Sequence, residues 1–144
     1  MAQQRSADVV WEGNLARGRG TIQGGTGVLR DLEITQPTRF GDADGHTSPE
    51  ELVAAALAGC FAMYLSGVLT KADSPPERLE ARAVVTLDTV DDAPRITTID
   101  LSVVGHVPGI DEETFQTAAR QAEQGCPVSN VLNAEIRLDA RLAT

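Results

Sequence analysis

One stretch constrains this chain more than any other: Ser48-Pro49-Glu50-Glu51, followed by the apolar run Leu52 to Leu65 with Cys60 inside it. It reads as a single helix. Ser48 is a favourable N-cap, Pro49 fits the first helical position, and Glu51 falls three residues after the cap, the spacing of a capping box. Glu50 and Glu51 add negative charge at the positive end of the helix dipole. Nothing from Leu52 to Leu65 is charged. A helix that is apolar on every face belongs in a packed core or in a bilayer. The run is about 14 residues, short of the roughly 20 that a span requires. The expectation is a core helix that carries one thiol deep in the protein.

The 144 residues suit one domain spanning 1–144, and 42% apolar content suits a folded chain. A net charge of −9 with pI near 4.6 argues against nucleic acid and anionic membrane surfaces as partners. Met1 to Asp8 is polar with no apolar segment after it, so the expected location is the cytoplasm. Two cysteines in such a chain are not a disulfide scaffold; they are inert core residues or redox-active ones.

Before the helix, Val9 to Glu12 and Val28 to Ile34 read as strands separated by Gly24-Gly25 and Gly27. Arg17 and Arg19 are spaced to share one strand face, and Thr38-Arg39-Phe40 leads into a loop, Gly41 to Thr47. After the helix, Ser74-Pro75-Pro76 forbids continuation. Leu79 to Asp88 alternates as a half-buried strand, Asp91 to Pro94 is a turn, and Ile96 to Val107 is a further strand. Asp111 can cap an amphipathic helix ending near Gln124, with Gly125 in the role of a C′ glycine. Cys126 then opens a short turn with Pro127 at its first position, and Ala134 to Leu142 closes the chain as a strand. This order gives an α+β fold without βαβ alternation.

A thiol with an ordinary pKa of about 8.5 is only a few per cent ionised at neutral pH, and burial lowers that fraction further. Cys60 therefore needs a fixed cation beside it to react. Moving its pKa to about 5.5 takes roughly 4 kcal/mol of thiolate stabilisation. An arginine can supply that, and an arginine needs a carboxylate to hold its fork. Glu50 is the candidate, but it lies roughly 15 Å from Cys60 along the same helix, at about 1.5 Å per residue. A second chain with its helix antiparallel removes that difficulty and covers the apolar helix, so a twofold dimer with a composite site is expected. Cys126, at a helix start, should have a lowered pKa, and the two thiols make a plausible attacking and resolving pair. The plain alternatives are two inert core cysteines, solvated Arg17, Arg19 and Arg39, and a helix-start role for Glu50. A zinc set of His46, Cys60, His106 and Cys126 matches no structural zinc spacing, and no metal is expected.

Several motifs together resemble one family. Ser48-Pro49-Glu50-Glu51-Leu52, Ala58-Gly59-Cys60-Phe61-Ala62-Met63 and Gly125-Cys126-Pro127-Val128-Ser129-Asn130-Val131-Leu132 are similar to the OsmC/Ohr thiol-dependent hydroperoxide reductases. Trp11-Glu12-Gly13, Arg17-Gly18, Gly27-Val28-Leu29 and Pro108-Gly109-Ile110-Asp111 resemble the OsmC branch. The resemblance implies an intertwined homodimer with curved, antiparallel-rich sheets wrapped around two central helices. It implies Cys60 as the peroxidatic and Cys126 as the resolving cysteine, with Glu50 as the acid after the proline. Arg39 best fits the branch's arginine, whereas the Ohr branch would point to Arg17 or Arg19. The implied activity is reduction of organic hydroperoxides to alcohols, as protection against oxidative or osmotic stress. The apolar pocket would be walled by Leu57, Phe61 and Met63. No cofactor is implied beyond an external dithiol reductant, of lipoyl type or another small thiol. The rival readings are a dimeric stress-related binding protein with non-catalytic cysteines and a thiol–disulfide oxidoreductase acting on proteins. The latter lacks a CxxC.

Overall fold

The computed structural model describes residues 1–143. In chain order the elements are β1 (Ala7–Glu12), β2 (Arg19–Gly24), β3 (Leu32–Ile34), α1 (Gln36–Phe40), α2 (Pro49–Lys71), β4 (Arg78–Val90), β5 (Ala93–His106), α3 (Glu112–Gly125), α4 (Pro127–Val131) and β6 (Glu135–Leu142). The mixed α+β architecture with two three-stranded sheets is the expected class. The chain forms two compact units, one from Met1 to Leu52 and one from Val53 onward, and the boundary falls inside α2.

The first unit holds the antiparallel sheet β1-β2-β3, with Trp11 opposite Gly20 and Ile22 opposite Leu32. The third strand is shorter than expected. The Gly24 N–H donates to the Leu29 carbonyl at 2.8 Å, Asp31 adopts φ 52°, and the Gln23 side chain binds Asp31, so Val28 to Arg30 are spent in the turn. Arg17 is not on a strand beside Arg19; it lies in a turn, where its N–H donates to Asn14 Oδ1 at 2.9 Å. Thr38-Arg39-Phe40 does lead into the loop from Gly41 to Thr47, but it does so as the end of a short helix, α1, that was not expected. Thr35 and Thr38 form a reciprocal capping box there: Thr35 Oγ1 accepts the Thr38 N–H at 3.1 Å, and Thr38 Oγ1 accepts the Thr35 N–H at 3.3 Å.

At the start of α2, Ser48 Oγ accepts the Glu51 N–H at 3.2 Å, as a cap should. The box is only half made, because the Glu51 carboxylate accepts instead from Thr47 Oγ1 at 2.7 Å. The helix has 23 residues and a mean hydropathy of 2.0 in its most apolar window, so its length does not exclude a membrane span, contrary to the estimate from the shorter apolar run. Packing is the better guide. Leu57, Phe61, Leu65 and Leu69, at i, i+4, i+8 and i+12, form one stripe buried in a protein core. That core is completed by Ile99, Leu101 and Val103 of β5 and by Phe115, Ala119 and Ala122 of α3. Phe115 occupies the space where a Gly105 side chain would be, so β5 and α3 approach closely.

In the second unit β4 and β5 form a long hairpin. Its turn is tighter than the four residues expected. Asp91 and Asp92 both take positive φ, 52° and 62°, as a two-residue primed turn requires, and Pro94 is already paired with Thr89. β6 runs parallel to β5, with Ile99 opposite Ile136 and Leu101 opposite Leu138. Parallel neighbours need a crossover, and α3 with α4 supplies it, so the chain does contain one βαβ-type unit that strand alternation had not suggested. Gly125 does not act as a left-handed C′ residue. It ends α3 without positive φ, and Cys126 is the C-cap, its N–H donating to the Ala122 carbonyl at 2.9 Å.

Candidate active site

The four residues singled out from the sequence fall into two pairs. In the first unit, α1 presents Arg39 from its last turn, and the start of α2 presents Glu50. Arg39 Nε donates to both Glu50 oxygens, at 2.9 and 3.2 Å, and Arg39 Nη2 donates to Oε1 at 2.6 Å. Glu50 is buried, with its side chain 9% exposed, while the Arg39 side chain is 36% exposed. The carboxylate thus fixes one edge of the guanidinium plane and leaves Nη1 without a protein partner among the described residues. Phe40 lies under the same guanidinium, 5.5 Å from its ring centroid. A pocket of about 80 Å³ beside Arg39 is lined by Trp11, Leu15, Ile34, Phe40 and Pro49 among others. Arg17 and Arg19 do not join this pair; Arg19 stands 4.0 Å from Glu12, both largely exposed.

In the second unit, Cys60 of α2 and Cys126 at the α3–α4 joint are neighbouring free thiols. Cys126 is fully buried in the core, and Cys60 is half-buried against it. The Cys126 thiol does not have the lowered pKa expected at a helix start. Burial pushes it up, and the adjoining Cys60 thiol pushes it further. The backbone N–H groups of Ser129 and Val128 do favour the thiolate, as the helix-start argument requires, but they are outweighed.

Cys60 opens onto a pocket of about 640 Å³. Its α2 wall is Met63, Tyr64, Gly67 and Val68, the i+3, i+4, i+7 and i+8 positions after the cysteine, with Lys71 at the end and Gln121 and Pro127 opposite. Leu57 and Phe61, expected as walls, belong instead to the core-facing stripe and are fully buried. Among the described residues no group of three or more His, Cys, Asp or Glu side chains is placed to hold a metal. His46 pairs with Glu33 at 3.3 Å and His106 with Glu80 at 3.8 Å.

The OsmC-like family model matches residues 41–141, which include both cysteines and Glu50. The chain belongs to the OsmC family. It is 44% identical over 142 residues to peroxiredoxin OsmC of Escherichia coli, covering 99% of each chain. The organic hydroperoxide resistance protein OhrB of Bacillus subtilis superposes with a TM-score of 0.72 at 28% identity, covering 96% of this chain and 98% of that one. An organic hydroperoxide resistance protein of Elizabethkingia anophelis shares the fold, with a TM-score of 0.76 at 23% identity over 99% of this chain and 100% of the other. As a full-length relative of an OsmC peroxiredoxin, the chain is a cysteine-based peroxidase.

Two features of the site were missed by sequence reasoning. One is Tyr64, which lines the pocket one turn after Cys60 and packs on Gly125. The other is Ser129, buried, whose hydroxyl donates to Glu123 Oε1 at 2.7 Å and ties α4 to α3. The Gly125-Cys126 pair carried the signal for the first, since a glycine before a buried thiol can mark a close approach as well as a helix end.

Proposed function

We propose that the protein reduces organic hydroperoxides to alcohols through a Cys60 sulfenate and a Cys60–Cys126 disulfide. The observation that carries this reading is the juxtaposition of two free thiols, one opening onto a pocket and one buried behind it, from distant parts of the sequence. The Cys60 thiolate attacks the distal peroxide oxygen, the O–O bond breaks, and the alkoxide takes a proton and leaves as the alcohol. Cys126 then attacks the sulfenic sulfur, and an external dithiol, of lipoyl type or another small thiol, reopens the disulfide. An apolar wall favours alkyl peroxides over hydrogen peroxide, because buried hydrocarbon contributes about 25 cal/mol per Å².

Arg39, held by Glu50, is assigned to stabilise the thiolate. Glu50 lies about 15 Å from Cys60 along α2, so the pair of one subunit is proposed to serve the thiols of a second, with the two α2 helices antiparallel. Ala55, Ala56, Gly59, Met63 and Gly67 are exposed along α2, and Val9, Val10 and Trp11 along β1, which supports a second copy as their cover. The proposed setting is the cytoplasm under peroxide stress.

The test is peroxide turnover with a dithiol, combined with intact mass and sedimentation. Consumption of an alkyl hydroperoxide with loss of two hydrogens per chain, by a dimer, is expected. A stable monomer with full activity would overturn the composite site, and oxidation without mass loss would overturn the disulfide.

A further inference from the structure

Tyr64 follows Cys60 by one turn of α2 and stands on the same pocket wall. Its ring fills the space beside Gly125: a Cβ built on that glycine would come within 2.6 Å of Tyr64 Cζ and of the phenol oxygen. Gly125 has no positive φ, so its lack of a side chain serves space and not backbone conformation. The next residue is Cys126. Its N–H is tied to the Ala122 carbonyl at 2.9 Å, and its own carbonyl accepts the Asn130 N–H at 3.1 Å. The Ser129 hydroxyl, bonded to Glu123 at 2.7 Å, fastens the turn that follows.

We propose that Tyr64 is a positioning residue for disulfide closure, its ring seated on the bare Cα of Gly125 and setting where the Cys126 thiol meets Cys60, with the Glu123–Ser129 hydrogen bond holding α4 in place. The proposal rests on the two-thiol chemistry above. In closure the Cys126 sulfur attacks the Cys60 sulfenic sulfur, the S–S bond forms and the S–O bond breaks. The Cys126 proton leaves with the hydroxide as water. Displacing the attacking atom by about 1 Å costs on the order of 10²-fold in rate. Attack on the peroxide uses Cys60 with its activating arginine and does not involve the Cys126 thiol, so damage at this contact separates the two steps.

The experiment is rapid quenching after peroxide addition, with intact mass following the sulfenate (one added oxygen) and the disulfide (loss of two hydrogens). Gly125→Ala is expected to form sulfenate at the wild-type rate and to close on the order of 10²-fold more slowly. Adding Tyr64→Ala, which clears the space but also removes the positioning ring, is expected to relieve the clash and bring closure up to the intermediate rate of Tyr64→Ala alone. Ser129→Ala should slow closure more mildly, whereas Glu123→Gln, whose amide oxygen still accepts, should not. Closure at the wild-type rate in Gly125→Ala overturns the proposal, as does a loss in both steps that Tyr64→Ala does not rescue. Should Gly125→Ala fail to fold, Tyr64→Phe against Tyr64→Ala decides: closure slowed only in the alanine variant supports the role, and equal rates overturn it. A wild-type protein that forms sulfenate but no internal disulfide would instead sink the two-thiol reading.

Discussion

The ion pair and the thiol pair solve the same problem, holding a reactive group still, by different physics. Arg39 and Glu50 come from adjacent segments and meet within the first unit through three charge-assisted hydrogen bonds of 2.6, 2.9 and 3.2 Å. Direction comes from the planar fork, and one partner remains partly in water. Cys60 and Cys126 are brought together by tertiary packing, with few polar contacts to steer them. Their placement depends on the shapes around them: Phe61 and Phe115 in the core, Tyr64 against Gly125. A directional pair tolerates exposure and resists small shifts. A packed pair needs its whole surroundings to be right.

The sharpest way to break this comparison is Cys60→Ser, expected to abolish peroxide consumption outright; retained turnover in a dithiol-coupled assay would assign the nucleophile elsewhere. Next is Arg39→Ala. It should slow the first oxidation on the order of 10²-fold, read by intact mass after rapid quenching. It should also cost about 3 kcal/mol in a denaturant titration, because Glu50 is left buried without its cation. An unchanged rate of first oxidation would move the cation's role to Arg17 or Arg19. Cys126→Ser should leave the first oxidation intact and stop at an oxygen adduct by intact mass; loss of two hydrogens in that variant would refute the pairing.

A smaller effect follows from the raised Cys126 pKa. The folded state holds that proton more tightly than the unfolded one, so the stability it contributes is full below the ordinary thiol pKa of about 8.5. It is lost as pH rises from there through the folded-state value. Cys126→Ser should flatten this alkaline slope, read from denaturant midpoints across pH; an unchanged slope would place the titrating group elsewhere. Smallest is salt: between 0.1 and 1 M the screening length falls from about 10 to 3 Å, which should weaken the Arg39 contribution slightly and leave disulfide closure unaffected.

The parts of the fold written in local chemistry were legible. Ser48-Pro49, Asp111 and Cys126-Pro127 open helices because caps and prolines act within one turn. The Leu79–Asp88 alternation is a strand because the pleat enforces it. Features that depend on distant segments were not legible. Nothing near Ala134 says that β6 runs parallel to β5, since direction is fixed by the length and docking of α3 and α4. The Thr35–Thr38 box hid α1 because its second member is threonine in place of the usual glutamate. The sign of the Cys126 shift was missed because burial is a property of the core and leaves no mark on the local sequence. The candidate residues themselves stood out less by spacing than by resemblance; read singly, Arg39 was an ordinary surface arginine, and its bond to Glu50 became visible only in three dimensions.

The parallel return of β6 carries a consequence for biosynthesis. Cys126 rides on the crossover between β5 and β6, well after Cys60 in the sequence. On the ribosome, Cys60 is made well before the segment that bears its partner. If Cys60 is oxidised in that interval it has no thiol to condense with, and further oxidation to the sulfinic state is open to it. In that interval, however, Cys60 also lacks the cation assigned to activate it, so the thiol should become reactive only in the assembled protein, where Cys126 stands ready to condense with it.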